Sequence, residues 1–356
     1  MIKSRTKKRF GKVAMVAGVL IVAVMMVVSA VWGTVAQATV YSGVRAEFAQ
    51  YLTSARAMVT LEVSTGRILY EHNADERLAC ASTTKILTAI AVIENVANLD
   101  EMVKVNDKAV GVEGTSVYLQ KGESMSVRDL LLGLMLRSGN DCASALAFHV
   151  SGSVEKFADL MNETAWRAGA RNSSFKNPHG LDEEGHLTTA RDLGLISAYA
   201  MRNEMFREIA KTKEARITGP DHPRPIQNKN RLLRSNQDIV GIKTGFTSKA
   251  GRCFVGALND DGMTVIAVVL NCGPMFPESE ALMERATEEF YMHRVLSKDD
   301  VITPTKQQRE HKTAMVGEDF FYPVRPGEES KFEVTINEHH VVVHFGGKVV
   351  KSFDKV

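Results

Sequence analysis

The sequence has no internal repeat, and its first 38 residues contain no acidic side chain. Four cysteines among 356 residues are too few for a disulfide scaffold. Ten histidines are present, but the chain has no H-E-x-x-H and no carboxylate cage, so nothing in it calls for a metal. Hydrophobic residues at 44% and charged residues at 24% exclude disorder, collagen and low complexity. The length fits two domains plus a targeting segment. Positive charge is scarce outside the amino terminus. The formal net charge of +2 includes six basic residues at Lys3, Arg5, Lys7, Lys8, Arg9 and Lys12. The other 38 basic residues face 42 acidic ones, a net of −4, which argues against nucleic acid as the main partner.

What is present begins with an address. After Lys12 the next charge is Arg45, and Val13 to Trp32 is an almost unbroken apolar run. A basic start, an apolar run and then Ala36-Gln37-Ala38 have the layout of a secretory signal cleaved after Ala38. The alternative is an uncleaved membrane anchor, since a helix of about 20 residues spans a bilayer. Either reading puts residue 39 onward outside the cytoplasmic membrane, where chemistry dependent on cytosolic ATP or NAD is not expected.

Residues 57 to 70 alternate around Ser64-Thr65-Gly66 and predict a β-hairpin. Ser82 to Ala97 is apolar nearly all round, the pattern of a buried helix. Helices are expected over 126–137 and 141–150, broken at Ser138-Gly139-Asn140, and again over 153–168 and 189–210. Residues 177–187, rich in Gly, Pro, His and Asp, predict an ordered loop. Strands over 252–259 and 263–271, joined through Asp260-Asp261-Gly262, form a hairpin, with 239–246 as a strand beside them. A helix is expected over 278–294 and a linker over 297–308. The β-type runs 332–336, 340–345 and 348–353 make a module of about 50 residues, small enough that it should pack on something else.

Chemistry concentrates first in Ser82-Thr83-Thr84-Lys85. A serine hydroxyl is a weak nucleophile and needs a base within hydrogen-bond reach. Positions i and i+3 of a helix are neighbours, with Cβ atoms about 5–6 Å apart. A lysine there can take the serine proton if burial lowers its pKa, and this helix is apolar. Near a helix start, free N–H groups also favour a developing oxyanion. The spacing alone is weak, because S-x-x-K occurs five times, starting at Ser4, Ser82, Ser153, Ser173 and Ser352. Ser82 is set apart by two motifs that follow in order and occur once each: Ser138-Gly139-Asn140 and, in an expected strand, Lys243-Thr244-Gly245. The ordered set S-x-x-K, S-x-N, K-T-G is the signature of penicillin-binding proteins and serine β-lactamases.

From about residue 40 to the C-terminal module the chain resembles the low-molecular-weight penicillin-binding proteins, the serine-type D-alanyl-D-alanine carboxypeptidases of peptidase family S11. The resemblance also takes in Asp141, Asn177-Pro178-His179-Gly180-Leu181, Thr188-Thr189-Ala190 and Phe246-Thr247. It implies an α/β (α+β) fold of the β-lactamase/transpeptidase type: an antiparallel sheet flanked by helices, a helical lobe, and a small all-β module. The expected division is a signal or anchor at 1–38, a penicillin-binding domain at 39–296, a linker at 297–308 and the module at 309–356. It implies that Ser82 attacks the carbonyl between two terminal D-alanines, that Lys85 takes its proton, and that Ser138 relays a proton toward the departing amine. Asn140 would bind the substrate amide and orient Lys85. Lys243 and Thr244 would meet the terminal carboxylate, and Gly245 would let the substrate lie close to the strand. The backbone N–H groups of Ser82 and Phe246 would form the oxyanion hole. No cofactor or metal is needed for this acyl transfer. The implied partners are peptidoglycan stem peptides ending in D-Ala-D-Ala and, as covalent inhibitors, β-lactams, with membrane association through the amino terminus. No C-terminal amphipathic helix is visible.

Plainer readings apply to other residues. His179 reads as a turn histidine anchoring a loop under the site, and His339, His340 and His344 as a half-exposed strand face. Cys80 and Cys142 flank the first two motifs and read as buried packing residues, with a bond between them left open. The sixteen methionines read as core filler. The competing activities are a β-lactamase, for which no E-x-x-L-N follows Ser138, an endopeptidase using the same residues, and a penicillin-binding sensor without turnover.

Overall fold

A computed structural model describes residues 54–219, 221–303 and 313–355. The expected signal or anchor at 1–38 lies outside these residues. Among the described residues, no helix is long and apolar enough to cross a membrane.

The organising element is a five-stranded antiparallel sheet in the order β2-β1-β9-β8-β7. It is built from β1 (Ala55–Glu62), β2 (Ile68–His72), β7 (Ile239–Thr247), β8 (Gly251–Asp260) and β9 (Met263–Cys272). The expected hairpin at 57–70 is there. Its turn is fastened by the buried Glu62 carboxylate, which accepts from the backbone N–H groups and hydroxyls of Ser64 and Thr65 at 2.6–2.9 Å. Strand side chains alternate between faces. Val59, Val255, Ile266 and Val268 therefore join one large core with the helices of the lobe. On the other face Phe254 meets Phe276 edge-on, and Gly256 lies against Met283.

The lobe holds α1 (Lys85–Ile93), α2 (Val127–Leu132), α3 (Asn140–Ser151) and α4 (Val154–Arg167), with α5 (Ala190–Met201) packing against β1 and β9. Two short strands, β3 (Met102–Lys104) and β4 (Ser124–Ser126), pair before α2. The buried helix expected over 82–97 starts as a 3₁₀ turn at Ala81–Thr84 and ends at Ile93. The single helix expected over 189–210 is two, α5 and α6 (Glu204–Lys211). They break at Asn203, whose side chain caps α6 by accepting from the Phe206 N–H. A small pair, β5 (Glu214–Ile217) and β6 (Arg224–Gln227), and the short α7 (Leu232–Ser235) lead into β7.

The helix expected over 278–294 needs correction at both ends. α8 runs Met275–Glu289, and Tyr291–Leu296 forms β10, paired antiparallel with β13 (Phe320–Val324). Helical periodicity gives way there to a pairing that satisfies the backbone across more than twenty residues of sequence. Within the stretch expected as a linker, Val301–Ile302 (β11) pairs with Ala314–Met315 (β12). The expected C-terminal runs appear as the sheet β14 (Phe332–Ile336), β15 (His340–Phe345) and β16 (Lys348–Asp354). Their core is small: Leu296, Val316, Phe320, Tyr322, Val324, Ile336, Val341, Val343 and Phe353, with a few smaller contributions.

The module does pack on something, and Arg67 of the first hairpin is the anchor. Its guanidinium lies 4.6 Å from the Phe345 ring centroid and 5.3 Å from those of Phe290 and Tyr322. It pairs with Glu328 at 2.9 Å in a largely buried contact and donates to the Pro323 carbonyl. A second strut joins Tyr70 and Arg325 through Glu289, at 2.8 and 2.9 Å. Replacing Arg67 by Ala takes the guanidinium from three rings and from Glu328, which keeps Lys331 and the Arg325 N–H, a loss of about 1–3 kcal/mol. Thermal unfolding of Arg67→Ala should shift down accordingly and limited proteolysis within 291–355 should accelerate; unchanged cleavage would show that the anchor lies elsewhere.

Candidate active site

The three motif segments meet at one cleft. Ser82, Ser138, Thr244, Gly245 and Phe246 line a cavity of about 340 Å³ together with Thr115, Lys229, Met275 and Phe276. Ser82 lies in the 3₁₀ turn at the head of α1, where the Thr83 hydroxyl and N–H both bond to the Cys80 carbonyl. Ser138 sits between a π-helical turn (Gly133–Arg137) and α3, in a left-handed conformation with φ 69°. Lys243 and Gly245 lie on β7 opposite Val255 and Cys253, two residues of the core shared with the lobe. Gly245 is where the strand touches the serine turn. A Cβ there would stand 3.1 Å from the Ser82 nitrogen and 3.0 Å from the Cys80 carbonyl oxygen, so any larger residue pushes strand and turn apart.

Beneath Ser82 lies Lys85, fully buried. Its Nζ is 2.9 Å from Ser82 Oγ, 2.7 Å from Asn140 Oδ1 and 2.6 Å from the His179 carbonyl oxygen. Burial lowers the lysine pKa well below its ordinary value, and the nearby Lys243 and Lys229 push it further the same way. A neutral amine has two N–H donors and one lone pair. Asn140 Oδ1 and the His179 carbonyl are acceptors and take the two donors, which leaves the lone pair for the Ser82 hydroxyl. This is the geometry a serine needs from its base.

Lys243 is equally buried and donates to the Thr244 carbonyl at 3.0 Å. Burial, with Lys229 adding, pushes it down to about 7. Lys229, a residue the sequence reading passed over, brings a second cation to the cleft and donates to Thr115 Oγ1 at 3.2 Å. It sits in a polar stretch without a motif, and a backbone bond from its N–H to the Leu136 carbonyl brings it there. Met275 and Phe276 were missed too, being expected to precede the last helix rather than start it.

The loop 177–187 supports the serine turn from below. The His179 ring accepts from the Leu181 N–H, while its carbonyl holds Lys85. The buried His186 accepts from the Lys176 N–H at Nδ1, so Nε2 carries the proton and meets Thr84 Oγ1 at 2.9 Å. Gly180 has φ 83°, and a Cβ on it would lie 1.9 Å from the Ala81 carbonyl oxygen. The four cysteines are free thiols, all buried; Cys80 Sγ lies 3.2 Å from Thr84 Oγ1, and Cys142 fills the space beside Gly133.

With this geometry in hand, the comparisons with known proteins are direct. The family model described as D-alanyl-D-alanine carboxypeptidase matches residues 45–273. The chain belongs to that family, the S11 serine peptidases. Among its relatives, D-alanyl-D-alanine carboxypeptidase DacF of Bacillus subtilis is 31% identical over 72% of this chain and 68% of its own length. DacC of Escherichia coli is 39% identical over 64% of this chain, a match that spans 60% of the relative. Penicillin binding protein 5 from Haemophilus influenzae has a similar structure, with TM-score 0.71, 27% identity, and coverage of 85% of this chain and 96% of that one. The fold class inferred from the motifs is the fold observed, antiparallel sheet, flanking helices and C-terminal strands together.

Two outcomes follow from the packing around the Ser82 turn. Gly180→Ala should cost about 3 kcal/mol or more through overpacking and backbone strain, and slow penicillin labelling of whatever folds; wild-type stability and labelling would show the loop can retreat freely. The second concerns acid. Burial, reinforced by nearby Lys85, lowers His179 to about 3, and burial lowers His186 to about 4. Above the ordinary value of 6.5 both are neutral folded and unfolded and contribute no pH dependence. As pH falls below 6.5 the unfolded chain takes up protons that the folded chain refuses, so stability drops steadily toward pH 4 and further toward pH 3. Urea midpoints between pH 7 and 4 should show this slope, and His186→Asn should flatten it.

Proposed function

We propose that the chain is an exported DD-carboxypeptidase that removes the terminal D-alanine from peptidoglycan stem peptides through an acyl-enzyme on Ser82. The observation that carries this reading is the buried Lys85 amine, with both donors engaged and its third contact on Ser82 Oγ. As Ser82 Oγ adds to the carbonyl of the penultimate D-alanine, its proton passes to Lys85. The backbone N–H groups of Ser82 and Phe246 receive the oxyanion, and losing one such donor costs about 3–4 kcal/mol. The C–N bond then breaks, a proton reaches the leaving D-alanine amine through Ser138, and water later hydrolyses the ester to regenerate Ser82. Asn140 binds the substrate amide while orienting Lys85. Lys243, with Thr244, meets the terminal carboxylate, and arrival of that negative charge raises Lys243 from about 7 and keeps it cationic.

Residues 1–38 act as the export signal, or as an anchor to the outer face of the cytoplasmic membrane if uncleaved. Residues 39–296 form the catalytic domain and those beyond the 297–308 stretch the β module, whose strand β13 pairs with Tyr291–Leu296. Cutting cross-links is the second reading, supported by a D-alanyl-D-alanine endopeptidase of Escherichia coli that is 30% identical over 62% of this chain.

The deciding experiment measures D-alanine released from a peptide ending in D-Ala-D-Ala, with fluorescent penicillin labelling as a second readout. Wild type should release D-alanine catalytically, and Ser82→Ala should lose both signals. Labelling at Ser82 without release would point to an endopeptidase or a sensor, and an active Ser82→Ala protein would sink the assignment. Acylation should also weaken on the acid side. Lys85 is neutral and basic above its lowered pKa and loses its lone pair below it, so kcat/KM should fall as pH drops.

A further inference from the structure

Asp141 is the residue after the second motif, and the reaction as written leaves it idle. Its side chain is 1% exposed, yet it carries more hydrogen bonds than any of the residues assigned a chemical task. Ser116 Oγ donates to Oδ2 at 2.5 Å, the Val117 N–H at 3.1 Å, the Leu119 N–H at 3.1 Å, and the Cys142 N–H to Oδ1 at 2.9 Å. Three of these four donors come from one short segment, 116–119, more than twenty residues earlier in the chain. A buried carboxylate saturated in this way is a fixed post, because the segment cannot move away without stripping donors from it in a place water does not reach.

The segment tied to that post reaches back to the catalytic lysine through Asn140. The Glu113 carbonyl accepts from Asn140 Nδ2 at 2.5 Å, and the Thr115 carbonyl accepts from the Asn140 N–H at 2.7 Å. Two glycines permit the close approach. A Cβ on Gly139 would stand 2.8 Å from Asp141 Oδ1, and one on Gly114 would stand 2.7 Å from Asn140 Nδ2.

An asparagine amide has two faces of nearly equal shape, one accepting and one donating. If Asn140 turned its NH₂ toward Lys85, the amide would donate into the lone pair that Ser82 requires. The Glu113 carbonyl prevents this, because only Nδ2 can donate to it, which leaves Oδ1 for Lys85. We propose that Asp141 is a positioning residue for acylation: it clamps the 113–119 loop, and the loop fixes which atom of Asn140 faces Lys85. The proposal rests on the reading of Lys85 as the base of Ser82.

The test is the rate of Ser82 acylation by fluorescent penicillin, with the final labelling stoichiometry measured alongside, in the exported protein and three variants. Asp141→Asn replaces one acceptor oxygen with an NH₂ that opposes either the 116–119 donors at Oδ2 or the Cys142 and Val117 N–H groups at Oδ1. Its acylation rate constant should fall about 10–100-fold, the scale of a misplaced catalytic group, while labelling still reaches one per chain. Ser116→Ala removes the bond to Asp141 and the one its Oγ accepts from the Tyr118 N–H, and should lose about 3–10-fold, and Ser116→Thr, which restores the hydroxyl, should return to within about twofold of wild type. A fall in labelled fraction with an unchanged rate constant would make Asp141 merely structural and overturn the proposal. So would equal rates for Ser116→Ala and wild type, which decides the matter if Asp141→Asn does not fold. Failure of the wild type itself to label at Ser82 would instead count against the acyl-enzyme reading.

Discussion

The structure depends on keeping one amine dry. An isolated ammonium buried in a protein interior is costly enough that it gives up its proton instead. Lys85 is placed where burial lowers its pKa well below the ordinary value. Every residue from Lys85 to Val92 is buried, and two further lysines stand close enough to repel any proton the amine would hold. The cost is an interior that must be assembled from distant segments. Asn140 arrives from the lobe, the His179 carbonyl from the 177–187 loop, and β7 closes over the serine turn. Gly180 and Gly245 occur where those segments approach, because neither approach leaves room for a side chain.

The β module illustrates the opposite situation. Its apolar core is too small to hold about 50 residues by buried area alone. It is instead fixed to the first hairpin through a guanidinium that satisfies a carboxylate, a carbonyl and three rings at once, with the Tyr70–Glu289–Arg325 strut beside it. Arg67 suits that task because its planar, weakly hydrated head can stack and donate in several directions, which a lysine cannot do. The hairpin turn that presents Arg67 is held in turn by Glu62, so the junction is fastened at both ends by carboxylates, one buried and one partly buried.

Much of this was legible in the sequence wherever the signal is local. Ser64-Thr65-Gly66 and Asp260-Asp261-Gly262 announce their hairpins, and the order of the three motifs the family. What was hidden depends on contacts distant in sequence. Tyr291–Leu296 continues a helical pattern and becomes a strand only because Phe320–Val324 is there to pair with it. The break between α5 and α6 had a local sign, Asn203 followed by Glu204, overridden by the apolar periodicity around it. Lys229 had none, since a lysine in a polar loop looks like any solvated charge until the chain returns it to the cleft. Asp141 directly follows Ser138-Gly139-Asn140, and nothing in its neighbours says that its partners lie at 116–119.

The two cleft lysines also link binding to chemistry on the proposed reading. With the cleft unfilled, Lys243 and Lys229 repel a proton from Lys85, which keeps the base neutral and ready. That same repulsion would oppose the proton transfer from Ser82 if it persisted. A substrate carboxylate beside Lys243 cancels part of the positive field at the moment the serine is to be deprotonated, so Lys85 becomes a stronger base when its substrate is present. The charge that recognises the end of the peptide would thus set the basicity of the group that starts the reaction. A peptide lacking the carboxylate would lose rate as well as affinity, even though it meets the same serine, the same amine and the same oxyanion donors.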